Sequence, residues 1–156
     1  MNAIAKTLAA AALVAGFCGS ANAEALKLGV LNCKIDASYG LIIGSSTSLN
    51  CQFDPAGGGK PAYYEGTISK LGLNIGYTAK SYVTWIVLAA GKVNPDAIAG
   101  DYVGASADAS VGLGLGANAL IGGFRQTVGL QPLSVQGQQG LNVAIGVTGL
   151  NLERVR

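Results

Sequence analysis

The chain has 156 residues, of which half are hydrophobic, 12% are charged and 24 are glycine, and it contains no histidine. This length suits a single domain, and a chain with so many apolar residues and so few charges is not intrinsically disordered. Four prolines without a strict glycine period exclude a collagen-like fold, and a net charge of +2 gives no electrostatic reason to expect a nucleic-acid partner.

The N-terminus has the pattern of a secretory signal peptide. A single positive charge at Lys6 precedes an apolar run over Thr7–Phe17 that is too short to span a bilayer, and the segment ends in Ala21-Asn22-Ala23. We therefore predict a signal peptide over residues 1–23 and a single glycine-rich β domain over residues 24–156, located in the periplasm or secreted. The alternative is a buried N-terminal helix.

Cys18 raises a further possibility for this segment, because bacterial lipoproteins are cut just before a lipidated cysteine. That processing prefers a small residue before the cysteine, whereas Phe17 stands here. We therefore expect a soluble product rather than a lipoprotein. No later stretch reaches the roughly 20 apolar residues of a membrane-spanning helix, so no transmembrane span is predicted.

Two cysteines, Cys33 and Cys51, follow the predicted signal peptide. An even number of cysteines in an exported chain most simply forms a disulfide, here with a structural role. A metal site would need further cysteine or imidazole ligands, and the chain offers none. A redox pair would more typically be a close C-x-x-C, which is absent.

Alternating apolar residues predict half-buried β-strands in the next part of the chain. One face of the first strand and one face of the second each carry a cysteine between two apolar side chains: Leu31, Cys33 and Ile35, then Leu49, Cys51 and Phe53. Two neighbouring strands of this kind fit the proposed bridge. Tyr82–Leu88 is apolar on both faces with Trp85 in its middle, which predicts a central strand covered on both sides.

The longest alternation runs from Val103 to Ile121, and we interpret it as two strand arms joined by a turn at Ser106–Asp108. Its three glycines at every second position, Gly112, Gly114 and Gly116, would leave one strand face bare. Such a face lets another chain, a ring or a ligand approach the backbone closely. It would either pack against Trp85 or a tyrosine, or form a groove for an apolar ligand or a partner.

Shorter signals complete the chain. Val93–Gly100 predicts one short helical turn that ends at Gly100. Near the C-terminus, an alternating run over Leu141–Val147 shifts parity before Leu150 and Leu152, which predicts a β-bulge at Gly149.

The residue types available for catalysis are few. Without histidine, Ser–His and Cys–His nucleophiles are excluded and the commonest general base is missing. Of the carboxylates, Asp101 and Asp108 form the only close pair in a predicted structured stretch, and such a pair could serve a hydrolase. We expect no catalytic residue, metal or cofactor. Four tyrosines are expected along strand edges with their hydroxyl groups in water: Tyr39, Tyr77, Tyr82 and Tyr102.

Several motifs occur in order along the chain and together resemble a known family. They are Gly29–Cys33, Ile42–Ser46, Leu49–Phe53, Pro55–Gly59, Tyr64–Gly66, Gly116–Asn118 and Leu130–Gln138. The family is the one catalogued as domain of unknown function 992, which consists of exported proteins found mainly in alphaproteobacteria. The resemblance covers nearly all of the mature chain. It implies a periplasmic or envelope location and a bridge between Cys33 and Cys51, and it implies no activity.

The sequence therefore predicts an all-β fold, either a small, mainly antiparallel barrel or a sandwich. Our functional hypothesis is an exported, non-enzymatic protein that binds a partner or supports structure at the cell envelope. The alternative is a carrier of a lipid or small apolar ligand, with a cavity beside Gly112–Gly116. A carboxylate-dependent hydrolase is the third hypothesis, and the oligomeric state stays open.

Overall fold

The computed structural model describes residues 25–40, 45–70, 76–78, 80–105, 110, 112–116, 118–136 and 147–155. The predicted signal peptide, Cys18, the turn at Ser106–Asp108 and the alternating run over Leu141–Ile145 lie outside the described residues. No helix within the described parts of the chain has the length and apolar character needed to cross a membrane.

Eight antiparallel strands form a closed barrel, which resolves the choice between barrel and sandwich. The strands are β1 (Leu26–Ile35), β2 (Ser38–Gly40), β3 (Ser45–Pro55), β4 (Ala62–Lys70), β5 (Gly76–Thr78), β6 (Ser81–Ala89), β7 (Gly100–Gly104), β8 (Leu120–Gly122), β9 (Val128–Gln136) and β10 (Val147–Val155). Around the barrel the order is β1-β3-β4-β10-β7-β8-β9-β6, while β2 and β5 pair separately.

The period-2 pattern of the sequence gives the barrel an apolar interior. Along β6, every second residue from Ser81 to Ala89 is buried, and Trp85 at its centre is 1% exposed. The outer face of β6 is only partly covered, since Tyr82 is exposed while Leu88 is half-buried. The prediction of a central strand is confirmed by its pairing with β1 and β9, and coverage on both sides is confirmed only in part.

The predicted disulfide is present inside the barrel. Cys33 of β1 and Cys51 of β3 lie directly opposite each other in the strand register, and their sulfur atoms are bonded. Both cysteines are buried in the core, as the shared faces of the two predicted strands required. The bridge thus joins two neighbouring strands on the inner face of the barrel, close to the C-terminal end of β1.

The interpretation of Val103–Ile121 as two strand arms is correct only at its ends, where β7 and β8 lie. Between them, Ser110, Gly112 and Leu113 are helical, and Gly114 is in a turn with a φ of +64°. Glycine weakens strands, and the helical turn lets Leu113 and Leu115 pack outside the barrel. They form a small apolar cluster with Ala119, partly buried Leu88 and partly buried Ile121.

The two shorter predictions are confirmed. A 3-10 helix spans Pro95–Ile98, and the side chain of Asn94 caps it by accepting a hydrogen bond from the Ala97 N–H. In β10, the register against β4 shifts between Val147 and Gly149, and Leu150 and Leu152 both face the core.

Candidate functional site

One end of the barrel is closed by the 3-10 helix, and we call it the capped end. The antiparallel order brings three connections to this end: β3 to β4, β6 to β7, and β8 to β9. The helix lies in the second of them, and its last residue, Ile98, is buried in the barrel core. The helix therefore covers the barrel end with a side chain that continues the core.

Two buried tyrosines hold this helix from below. The Tyr64 hydroxyl donates a hydrogen bond to the carbonyl of Pro95, and the Tyr102 hydroxyl donates one to the carbonyl of Ile98 at 2.6 Å. The two bonds satisfy carbonyls at both ends of the helix. The expectation that Tyr102 lies at a strand edge with its hydroxyl in water is wrong, because its side chain points into the barrel and is fully buried.

The same burial changes the acidity of both phenols. Burial raises the pKa of Tyr64 to about 12; the positive charge of Arg154 opposes this shift, and the negative charge of Asp96 adds to it. Burial also raises the pKa of Tyr102 strongly, with a further contribution from Tyr64. Both groups therefore stay protonated, and remain donors, throughout the physiological pH range.

Tyr64→Phe tests the link between these hydrogen bonds and stability. We expect the free energy of unfolding to fall by about 1 kcal/mol at neutral pH, because one partly buried hydrogen bond is lost. In the wild type, stability should decline as pH rises through the interval between about 10, the unfolded value, and about 12. The sign follows because the unfolded chain releases the Tyr64 proton first.

The measurement is urea unfolding at several pH values from neutral to alkaline. Tyr64→Phe should decline less steeply above pH 10 than the wild type, while Tyr102 maintains part of the slope. An identical alkaline slope in the two proteins would contradict the role given to Tyr64.

An ion pair lies on the outer side of the cap. Arg154 of β10 places a guanidinium nitrogen 2.5 Å from a carboxylate oxygen of Asp96. The hydrogen bond to Asp96 raises the pKa of Arg154. Both side chains are exposed, so the main effect of the pair is on local charge: it compensates the negative charge of Asp96 at this surface.

Beside the cap lies an open groove of about 420 Å³, which we call the Phe124 groove. It is lined by Lys92, Val93, Asn94, Asp96, Ala97 and Phe124. Phe124 is 60% exposed, although most large apolar side chains described in the structure face the core. The groove thus combines an exposed aromatic side chain and two smaller apolar side chains with an exposed lysine.

The backbone that presents Phe124 is in an unfavourable conformation. Arg125 and Gln126, which follow it, both have a φ of +55°, a region that side chains other than glycine rarely adopt. The Thr127 hydroxyl fixes the turn by donating to the Phe124 carbonyl at 2.8 Å. Residues held in such conformations occur preferentially at functional sites, which makes this loop a candidate for a functional role.

A second, polar groove of about 310 Å³ lies on the outer face of β3, β4 and β10. Its carboxylates, Glu65 and Glu153, are directly opposite each other in the register and both are exposed. Asp101 accepts a hydrogen bond from the Asn151 side chain at 2.8 Å. Asp108, the other member of the close carboxylate pair named from the sequence, lies outside the described residues, so that pair stays a prediction. Within the described ranges, no group of three or more carboxylate or cysteine side chains is placed to hold a metal ion.

The structure does not bring the predicted glycine face and Trp85 together. Trp85 lies inside the barrel, whereas Gly112 and Gly114 are exposed with no neighbouring atom within 4 Å of where a side chain would begin. The backbone N–H of Gly116 donates to the side-chain oxygen of Gln131 at 2.5 Å. The prediction of a bare strand face is therefore wrong, because Gly112 is helical and Gly114 is in a turn. That a ligand binds at these glycines stays a prediction.

The Phe124 groove was missed by sequence reasoning. Its two walls come from segments about 30 residues apart in the chain, which only barrel closure brings together. The one local signal is the Gly122-Gly123 pair before Phe124. Gly123 has a φ of +69°, and a side chain there would meet the Ala97 carbonyl oxygen at 2.5 Å, so Gly123 marks the close contact between loop and cap.

Comparisons with known proteins give one match. No curated protein and no solved structure matches the chain. A family model matches residues 11–153, which confirms the resemblance seen in the sequence motifs. The chain therefore belongs to the family described as "Protein of unknown function (DUF992)".

Proposed function

We propose that this protein is an exported, non-enzymatic binding protein of the bacterial envelope, and that it binds an envelope component at the Phe124 groove. The observation that carries the proposal is the exposure of Phe124 at the mouth of a groove. An exposed aromatic side chain beside a concave, partly apolar surface is typical of a binding site. The loop that holds Phe124 has a strained backbone, and such strain is more typical of a functional site than of an ordinary surface loop.

Export is supported by two independent features. Disulfides persist in oxidising compartments such as the periplasm and are rare in the cytosol, and the Cys33–Cys51 bridge is buried between β1 and β3. The residues before Glu24 have the charge and hydropathy pattern of a signal peptide.

Binding at the surface fits the barrel better than transport inside it. An eight-stranded barrel has an interior just wide enough to be filled by side chains or to hold one small ligand. Here Trp85, Tyr64 and Tyr102 are fully buried within one continuous core cluster. The packing of these described side chains favours a ligand in an outer groove for a carrier function, and the Phe124 groove is of suitable size.

The hydrolase hypothesis has a weaker basis in the geometry. The carboxylates that the barrel places opposite each other, Glu65 and Glu153, are exposed on the outer face of the strands. Paired carboxylates in glycoside hydrolases flank a bound substrate and differ in environment, so that one is an acid and the other a base. Glu65 and Glu153 instead share one open environment on the barrel wall, which favours recognition of polar groups over catalysis.

The test uses the full chain, expressed with its own N-terminus and recovered from the compartment in which it accumulates. Co-sedimentation with purified peptidoglycan sacculi, and flotation with phosphatidylethanolamine–phosphatidylglycerol vesicles, measure binding to the two main envelope materials. The variant Phe124→Ala should weaken binding about tenfold, as expected for an anchoring aromatic residue. Leu133→Ala is the matched control, because Leu133 is 57% exposed but belongs to β9 and does not line the groove.

Periplasmic recovery together with loss of binding in Phe124→Ala alone would support the proposal. Cytoplasmic recovery of the intact chain would overturn export. Absence of binding to both materials, or equal loss in Phe124→Ala and Leu133→Ala, would overturn the proposed binding function.

A further inference from the structure

The chemistry of the Phe124 groove points to a narrower class of ligand. We infer that the groove takes a single-chain amphiphile with an anionic head, such as a long-chain carboxylate. The hydrocarbon chain would lie against Phe124, Val93 and Ala97, and the acid group would face Lys92 and Arg125. This inference rests on the proposed function, since it names the ligand of the same site.

The charges around the groove favour an anion. Asp96 is the acidic side chain among the lining residues, and its carboxylate is engaged by Arg154 at 2.5 Å. Lys92 lines the groove and is exposed, while the Arg125 guanidinium lies 5.1 Å from the centroid of the Phe124 ring. These four side chains together carry two excess positive charges. A hydrocarbon chain that contacts the Phe124 ring therefore lies close to the Arg125 guanidinium.

The size of the groove favours one chain. A volume of about 420 Å³ is in the lower part of the range of roughly 300–1,000 Å³ found for small-molecule sites. The apolar surface is contributed by one aromatic ring and two short side chains, Val93 and Ala97, rather than by an extended patch. A folded protein partner would need a much larger contact area for a stable complex.

The backbone of the loop is held by its own hydrogen bonds, without any ligand. Arg125 and Gln126 are held at positive φ, and the Gln126 N–H and the Thr127 hydroxyl bond back to the carbonyls of Gly123 and Phe124. A loop backbone fixed in this way loses little freedom on binding, which lowers the entropic cost of complex formation. The strained backbone therefore gains a function: it places the Arg125 guanidinium over one face of the Phe124 ring, next to the groove.

The experiment is isothermal titration of the full chain with dodecanoate below its micelle concentration. Three related probes separate the contributions: dodecyltrimethylammonium has the same chain with a cationic head, dodecyl maltoside has the chain with a neutral head, and butyrate has the head with a short chain. We expect dodecanoate to bind at least tenfold more tightly than each of the three.

Variants locate the site. Phe124→Ala should weaken dodecanoate binding at least tenfold, and Lys92→Gln several-fold, because each removes one of the two recognition elements. Leu133→Ala and Lys34→Gln are the controls; they remove an exposed apolar group and an exposed cation outside the groove, and should change the affinity less than twofold. Both groove side chains are exposed, so all four variants should keep the thermal midpoint of the wild type.

No binding of dodecanoate, equal binding of dodecyltrimethylammonium, or equal loss in the control variants would overturn the inference. Phe124-dependent binding to sacculi or vesicles without dodecanoate binding would overturn this inference and leave the proposed function standing. Phe124-dependent dodecanoate binding by a chain recovered from the cytoplasm would support the ligand class while overturning the envelope function.

Discussion

Replacement of Cys33 and Cys51 together by alanine is expected to lower the free energy of unfolding by about 3 kcal/mol. The bridge joins residues separated by 18 positions, and closing a loop of this length restricts the unfolded chain by about that amount. The loss is a large fraction of the stability of an ordinary small domain. Alanine is chosen because serine would place unpaired hydroxyl groups in the core.

Urea unfolding followed by tryptophan fluorescence provides the measurement. The chain has one tryptophan, Trp85, which is fully buried, so its emission should shift to longer wavelength when the barrel opens. Chemical reduction of the wild type should reproduce the loss seen in the double variant, which serves as an internal control. A midpoint that is unchanged by reduction would show that the bridge does not contribute to stability.

The bridge and the candidate site should also be separable. Cys33 and Cys51 pair β1 with β3, whereas the Phe124 groove is built from the β6–β7 and β8–β9 connections. Below its new unfolding midpoint, the double variant should therefore bind the same ligand with the affinity of the wild type. Loss of binding by folded protein would contradict this separation.

The strands around the disulfide could be predicted because their pattern has a single physical reading. Leu31, Cys33 and Ile35 alternate with polar or exposed residues, and only a strand puts all three on one buried face. The parity shift near Gly149 was readable for the same reason, since one extra residue in a strand moves every later side chain to the other face.

The run from Val103 to Ile121 misled because its alternating residues are small. Alanine and glycine do not commit a segment to one buried face, and the helical turn at Gly112 and Leu113 satisfies the apolar leucines equally well. The outer surface of the barrel decides between a strand and a helical turn. Leu113 and Leu115 pack there against Gly129, which has no side chain. That surface exists only after strands far apart in the sequence have paired.

The cap was only half predictable for a similar reason. A short helical turn is predicted by Asn94, Pro95 and Gly100. Nothing local, however, indicates that Tyr64 and Tyr102 bind its carbonyls, because the three segments meet only when the barrel closes. The Phe124 groove depends on the same closure, and so do the roles of residues within the family motifs, such as Tyr64 and Gly66.

Gly66→Ala is expected to cost about 3 kcal/mol or more of unfolding free energy. Gly66 lies in β4 between Leu49 of β3 and Leu152 of β10. A Cβ atom there would be 1.8 Å from the Asn151 carbonyl oxygen and 2.8 Å from its carbon, both of which belong to the backbone. The clash cannot be relieved by a rotating side chain, so β4 or β10 must move, which is the costly form of overpacking.

Closure of the barrel increases this cost. In an open sheet, an edge strand could shift outward, whereas β4 and β10 each have a partner on both sides. A displacement between them must therefore strain the pairing of β3 or β7 as well. Because β4 also carries Tyr64 and β10 carries Arg154, the same displacement would disturb the contacts that hold the cap.

Gly57→Ala is the matched control for this prediction. Gly57 lies in the β3–β4 turn, has no atom within 4 Å of the added carbon, and is outside the positive-φ region. The same chemical change should there be neutral or slightly stabilising, because alanine reduces the freedom of the unfolded chain. Urea unfolding of the two variants under identical conditions measures the difference. If Gly66→Ala lowers the free energy of unfolding no more than Gly57→Ala does, then β4 approaches β10 less closely than the structure shows. The link between this contact and the cap would then be contradicted.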